Sequence, residues 1–216
     1  MHRHLNQPVS DVRGDDAIEA LEAALAMLLA AVDVTALVAH RVLGLTGPES
    51  KVGWQNQGWL SRAAQICPGI DAVTATGTAH SDALTVLRHV RNSLHGEALL
   101  GAGLSQAGRT HRALMALPRN RLQDLVDATD RMGGSKTWSV QPYGATELRV
   151  DPGILLEMLL PRIAALLNDV MEATPVESLP QVTLTAADGR PPATADGIFD
   201  EFSTGQRACI RMLLGL

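Results

Sequence analysis

From Asp15 through Leu43 the chain holds neither proline nor glycine and is dominated by Ala and Leu. Such a run favours helix. At about 1.5 Å per residue it would extend roughly 40 Å, and a helix of that length needs a partner alongside, as in a bundle. Asp15 or Asp16 is placed to cap it and Gly44 to stop it. Its uninterrupted apolar run, Ala23 to Val32, ends at Asp33, well short of the about eighteen residues a membrane span needs. Asp15, Asp16, Glu19 and Glu22 stand where a secretory leader would be basic. No membrane partner is expected.

The rest of the chain continues the helical theme. Aromatic residues make up 3% of the sequence, so the core must be built of Ala, Leu and Val, which suits close-packed helices better than a β-sandwich. A second helix is predicted from Trp54 to Ile66, with Trp59, Ala63 and Ile66 on one face and Pro68-Gly69 as its stop. A third is predicted from Asp82 to about Leu100, capped by Ser81 or Asp82. Gly101, Gly103 and Gly108 then break the chain, and a fourth helix runs from Leu117 or Pro118 to Met132. Thr137–Val140 and Thr146–Val150 alternate with period two about Gln141–Gly144, which reads as a β-hairpin. Asp151-Pro152 opens a helix to about Glu172, which Pro161 should kink or restart.

The fold class is therefore mainly α: a helical bundle of four to five helices with a small β-hairpin and an irregular C-terminal appendage. Residues 1–14 form a flexible tail, 15–172 the bundle with its hairpin at about 137–150, and 173–216 the appendage. The appendage holds a possible edge strand at 181–185 and a short last helix at 203–214. Two cysteines, Cys67 and Cys209, are too few for a disulfide framework or a zinc site, and a cytoplasmic setting follows as the default. Trp54, Trp59 and Trp138 read as core anchors. Asp124, Asp127 and Asp130 read as a solvated helix face. The Gly101–Gly108 glycines lack the strand and the Lys-Ser/Thr of a phosphate loop. No cofactor is implied.

One stretch carries more. Around the stretch Leu87–Leu99, the residues Leu84, Leu87, Val90, Leu94 and Ala98 form the apolar stripe of a helix. Arg88, Arg91 and His95 fall at i, i+3 and i+7 along its border, with Asn92 beside them. These residue types suit RNA cleavage without a metal. An imidazole titrating near neutrality can take a proton from a ribose 2′-OH or deliver one to the leaving oxygen. Arginine forks bind phosphate oxygens and stabilise charge at phosphorus. The 2′-OH is the internal nucleophile, so DNA would be inert.

The stretch resembles the signature of HEPN-superfamily domains: Arg, four to six residues, then His, often with Asn, Asp or His directly after the Arg. Arg88-His89 followed by His95 has six residues between; Arg91-Asn92 followed by His95 has the Arg-Asn pair but three between, one fewer than the pattern. Either arginine stands as the motif residue. The resemblance covers the motif helix and, through the order of long helices, residues 15–172. It implies an α-helical bundle that forms a homodimer with two motifs across a shared cleft. Members include metal-independent ribonucleases of toxin and phage-defence systems, and RNA binders without activity. By this resemblance His95 would be the general acid/base, Arg88 and Arg91 would hold the scissile phosphate, and Asn92 would orient the imidazole or the phosphate.

Between Arg88 and Arg121 stand six arginines against the one acid Glu97, on a chain of net charge −5. Arg109, Arg112, Arg119 and Arg121 are thus candidate contacts to RNA phosphates. No aromatic residue interrupts the stretch, so base-specific reading of single strands is not expected. Two plainer readings remain. Arg91 and His95 could be an i, i+4 pair neutralised by Glu97 and other acids, and Arg109–Arg121 a solvated loop and helix start. The alternative function is a non-enzymatic helical interaction or sensor module that binds a protein partner or RNA.

Overall fold

The computed structural model describes residues 12–97, 101–107, 110–119 and 122–175. The expected tail up to residue 11, and the appendage with its strand and last helix from 176 onward, lie outside the described residues. The fold is mainly helical with a small antiparallel sheet, as expected.

Helix α1 spans Val12–Val42. It starts three residues before the expected cap, so Asp15 and Asp16 are positions within its first turns and not the cap. It stops as expected at Gly44, whose φ of 60° favours a residue without Cβ. There Leu45 N–H donates to the His40 carbonyl at 3.0 Å and Gly44 N–H to the Arg41 carbonyl at 3.1 Å, which closes the free carbonyls of the last turn.

The segment Ile18–Val42 is long and apolar enough, by length and composition, to cross a membrane, although the uninterrupted run read from the sequence is not. Its buried residues, Leu21, Leu25, Leu28, Val32, Ala36 and Ala39, recur at spacings of three and four. That is the pattern of a helix packed along one side into a bundle.

After Trp54 the second helix, α2, begins later than expected, at Gln57–Ile66, with the Asn56 side chain accepting from Trp59 N–H. It buries Trp59, Leu60 and Ala63, while Ile66 is exposed. Pro68 is a start and not only a stop: it occupies the first turn of a further helix, α3 (Pro68–Thr74), where its missing N–H costs nothing.

Helix α4, Ala79–Asn92, is capped by Thr78, which accepts from Ser81 N–H at 3.2 Å. Neither Ser81 nor Asp82 is the cap. Near its expected end the α-helix gives way to a wider π turn, Ser93–Glu97. Ser93 Oγ donates back to the His89 carbonyl at 2.8 Å, a side-chain bond that competes with the helical ladder at that point.

Two strands follow where the sequence suggested a glycine-broken loop and a helix start. β1 (Gly101–Ala107) pairs antiparallel with β2 (Thr110–Pro118). The Ala-Leu-Met run of β2 has helical propensity, but tertiary pairing overrides it. Met115 and Leu117, two residues apart, are both fully buried. α5 then starts only at Gln123 and runs to Arg131.

The predicted hairpin is present with its turn displaced. Thr137–Ser139 form a turn, β3 is Gln141–Tyr143, β4 is Glu147–Val150, and Gly144 at φ 63° makes the bend. β4 also pairs with β2, setting Met115 opposite Val150 and Leu117 opposite Leu148. The sheet order is β1-β2-β4-β3. Pro142 lies in β3, an edge strand, where a missing N–H is tolerated.

The last helix, α6, is Pro152–Ala173; Asp151 accepts from Gly153 and Ile154 N–H at 2.9 and 3.1 Å. It continues through Pro161 as one helix. Pro161 lies on the exposed side; of the kink or restart expected there, the restart does not occur. Leu155, Leu159, Ile163, Leu166 and Val170 of α6 are fully buried. α1 packs on α6, and α4 packs on α1, α5 and α6. Trp54, Trp59 and Trp138 are buried, as expected.

Candidate functional site

The motif residues sit at the C-terminal end of α4 and in the π turn that follows. Leu84, Leu87 and Val90 turn inward and are buried, Leu94 is half-buried, and Ala98 lies outside the described residues. The apolar stripe therefore fixes which edge of α4 the polar residues occupy. Arg88 and Asn92 are exposed and Arg91 is half-buried. His95 is exposed, with 59% of its side chain open to solvent.

Packing against α1 and α5 adds acids that the sequence reading did not place here. His95 Nδ1 lies 2.7 Å from Glu22 Oε1 on α1. Asp33, three turns further along α1 on the same face, is close enough for the Arg91 guanidinium to act on it. Partial desolvation raises the Asp33 carboxyl above its ordinary value, and Arg91 pulls it back down. On the other side, His89 is half-buried, with Nε2 3.6 Å from Asp124 Oδ2 on α5. Arg88 Nη2 stands 3.5 Å from the same His89 nitrogen. Asn92 turns its carbonyl oxygen to Arg91 Nη1, which donates to it at 3.3 Å, so it is not engaged with the imidazole.

The four motif residues thus share one short segment but divide their contacts. His95 and Arg91 look toward α1, and Arg88 looks toward His89 and α5. Glu22, Asp33, His89 and Asp124 are the residues the sequence reading missed. The signal available for the first two was their separation: eleven residues, close to three full helical turns, sets two acids on one face of α1.

Two of the four downstream arginines, Arg112 and Arg119, lie within the described residues. Arg112 lies in β2 opposite Ser105. Arg119 follows the end of β2, exposed, its N–H bonded to the Thr146 carbonyl at 2.8 Å. Seven residues separate the two along the chain. Arg109 and Arg121 lie outside the described residues. The reading of this stretch as a solvated loop and helix start is corrected: most of it is strand. Of the helix face Asp124, Asp127 and Asp130, all three are exposed as expected. Among the described residues no three His, Cys, Asp or Glu side chains gather so as to hold a metal ion.

The site has a consequence for pH. Burial lowers the His89 pKa from its ordinary value, the Arg88 charge lowers it further, and Asp124 opposes both. As pH falls through about 6.5 the unfolded chain takes up a proton at this residue, while the native chain does so only at lower pH. In that window the unfolded state binds more protons, so stability rises with pH and the contribution is complete above it. His89→Gln is therefore expected to flatten the acid limb of stability. Urea midpoints from pH 8 down to pH 5 check this; a limb of unchanged steepness contradicts it.

No protein-family model, curated protein or solved structure matches the chain.

Proposed function

We propose that the chain is an RNA-directed protein of the HEPN-like kind that cleaves RNA without a metal, in the setting of stress or phage defence. The observation that carries this reading is His95: open to solvent, backed by a carboxylate at Nδ1, and turned with Arg91 toward α1, with Arg88 on the adjoining turn. In the reaction the ribose 2′-oxygen attacks phosphorus and the bond to the 5′-oxygen breaks. The products are a 2′,3′-cyclic phosphate and a 5′-hydroxyl. An imidazole takes the 2′-OH proton and a protonated one supplies the leaving oxygen. Arg88 and Arg91 hold the phosphate and offset its added charge. One imidazole acts as base and one as acid, and a homodimer supplies the second His95.

The test is cleavage of total cellular RNA by the purified protein in excess EDTA, wild type beside His95→Ala. EDTA-resistant cleavage that falls by about 100-fold or more in the variant is expected. Equal cleavage by both overturns the assignment of His95.

A second reading is favoured by the acids that face the site. Asp33 lies near Arg91 and Asp124 near His89; such pairing is the habit of a structural or protein-binding surface. A non-enzymatic interaction or sensor module is the function that absence of cleavage in both proteins would support.

A further inference from the structure

We propose that Glu22 is a positioning residue that holds the neutral His95 ring with its proton on Nδ1 and so presents Nε2 as the working nitrogen. The functional part of this inference rests on the reading of His95 given above; the tautomer part stands on geometry alone.

The distance is 2.7 Å between Glu22 Oε1 and His95 Nδ1. An ionised carboxylate can only accept, so at this distance Nδ1 carries the hydrogen. A neutral imidazole has one N–H, and the lone pair then belongs to Nε2. The hydrogen bond at one ring nitrogen sets the role of the other, as in the orienting carboxylate of a catalytic triad. Left to water, a neutral histidine favours the opposite tautomer, so the arrangement has to be imposed.

The fold imposes it through two features. Glu22 lies between Leu21 and Ala24–Leu25, which are buried, so the register of α1 against the bundle fixes where its carboxylate stands. His95 lies in the π turn Ser93–Glu97. That wider turn moves the ring away from its place on a regular α-helix. The contact joins residues far apart in sequence, and neither motif spacing nor charge pattern within α4 predicts it.

The role is one of orientation, because Glu22 is not among the groups assigned to touch substrate. Its loss should cost less than the loss of His95: about 10-fold in cleavage rate for Glu22→Ala, the low end of what second-layer carboxylates contribute. Glu22→Gln keeps an acceptor oxygen without the charge and should retain most of the tautomer preference.

The deciding experiment reads the ring directly. Nitrogen-15 spectra of the histidine side chains at pH 8.5, above the ordinary imidazole range, distinguish the two tautomers, and His95→Gln assigns the signal. The wild type is expected to show Nδ1–H for His95, Glu22→Gln to keep it, and Glu22→Ala to move toward Nε2–H with an unchanged circular dichroism spectrum. A wild-type ring protonated at Nε2, or a signal indifferent to Glu22→Ala, overturns the proposal. If the tautomer behaves as expected and no protein cleaves RNA, the tautomer assignment stands and the ribonuclease reading fails.

Discussion

Trp59→Ala is expected to destabilise the chain by about 3–5 kcal/mol, the cost of emptying a large aromatic site in a core that cannot fully collapse. Trp59 is 1% exposed and meets the Trp54 ring edge to face, with centroids 5.0 Å apart and planes at 80°. Its indole N–H donates to Nδ1 of His40 at 3.2 Å. His40 is itself buried, so the truncation also strips an acceptor of its partner, a loss that adds to the cavity. Trp59→Phe should cost less, about 1–3 kcal/mol, because the ring contact survives and the hydrogen bond does not. Urea unfolding followed by far-UV circular dichroism separates the two. A Trp59→Ala midpoint within experimental error of wild type would mean that α2 does not carry this share of the core.

The expectation bears on the site because the two tryptophans attach their segment to α1. Trp54 donates to the Val32 carbonyl at 3.0 Å and to Thr35 Oγ1 at 3.1 Å, and Trp59 reaches His40 in the last turn of that helix. Val32 adjoins Asp33, one of the acids that face the motif. His40 stands in the last turn of α1, at the negative end of the helix dipole. Its burial against Trp59 shows a specific packing role in addition.

How far the sequence could be read follows from which forces are local. The α1 run, the Gly44 stop, the Asp151-Pro152 start and the three buried tryptophans were legible because each depends on a few neighbouring residues. The β1–β2 hairpin was not. Gly101 and Gly103 are poor strand formers, and Ala113 to Leu117 is as good a helix as a strand by propensity. Pairing with β4 decides the matter, and that partner is some thirty residues away. The displaced β3 follows from Ser139, which adopts φ 56°, a conformation that a non-glycine residue seldom announces. In the site, Arg88, Arg91 and His95 were visible as a helical edge. Glu22, Asp33 and Asp124 were not, because they arrive from α1 and α5 through packing.

A second large effect is expected where α4 meets α5. Asp82→Ala should destabilise the fold by about 2–3 kcal/mol, as expected for losing charge-assisted hydrogen bonds to a buried carboxylate. Asp82 is 3% exposed, and the Arg131 fork grips both its oxygens: Nε at 3.2 and 3.0 Å, Nη2 at 2.6 Å. Donating to Asp82 raises the Arg131 pKa still further, so the guanidinium is charged across any pH used. Asp82→Asn keeps the shape and one acceptor and should lose about half as much, a ratio that chemical denaturation of the two variants measures. Only the carboxylate is buried; 53% of the Arg131 side chain is open to solvent, so the pair is weak evidence for stability in itself. Its specific contribution is register. Asp82 stands in the first turn of α4 and Arg131 in the last turn of α5, so the grip fixes where Asp124, at the start of α5, meets His89. If that is its role, Asp82→Ala moves the His89 ring resonances while His95, held from α1 by Glu22, keeps its own; movement of both would mean that the two sides of the motif helix are not independently anchored.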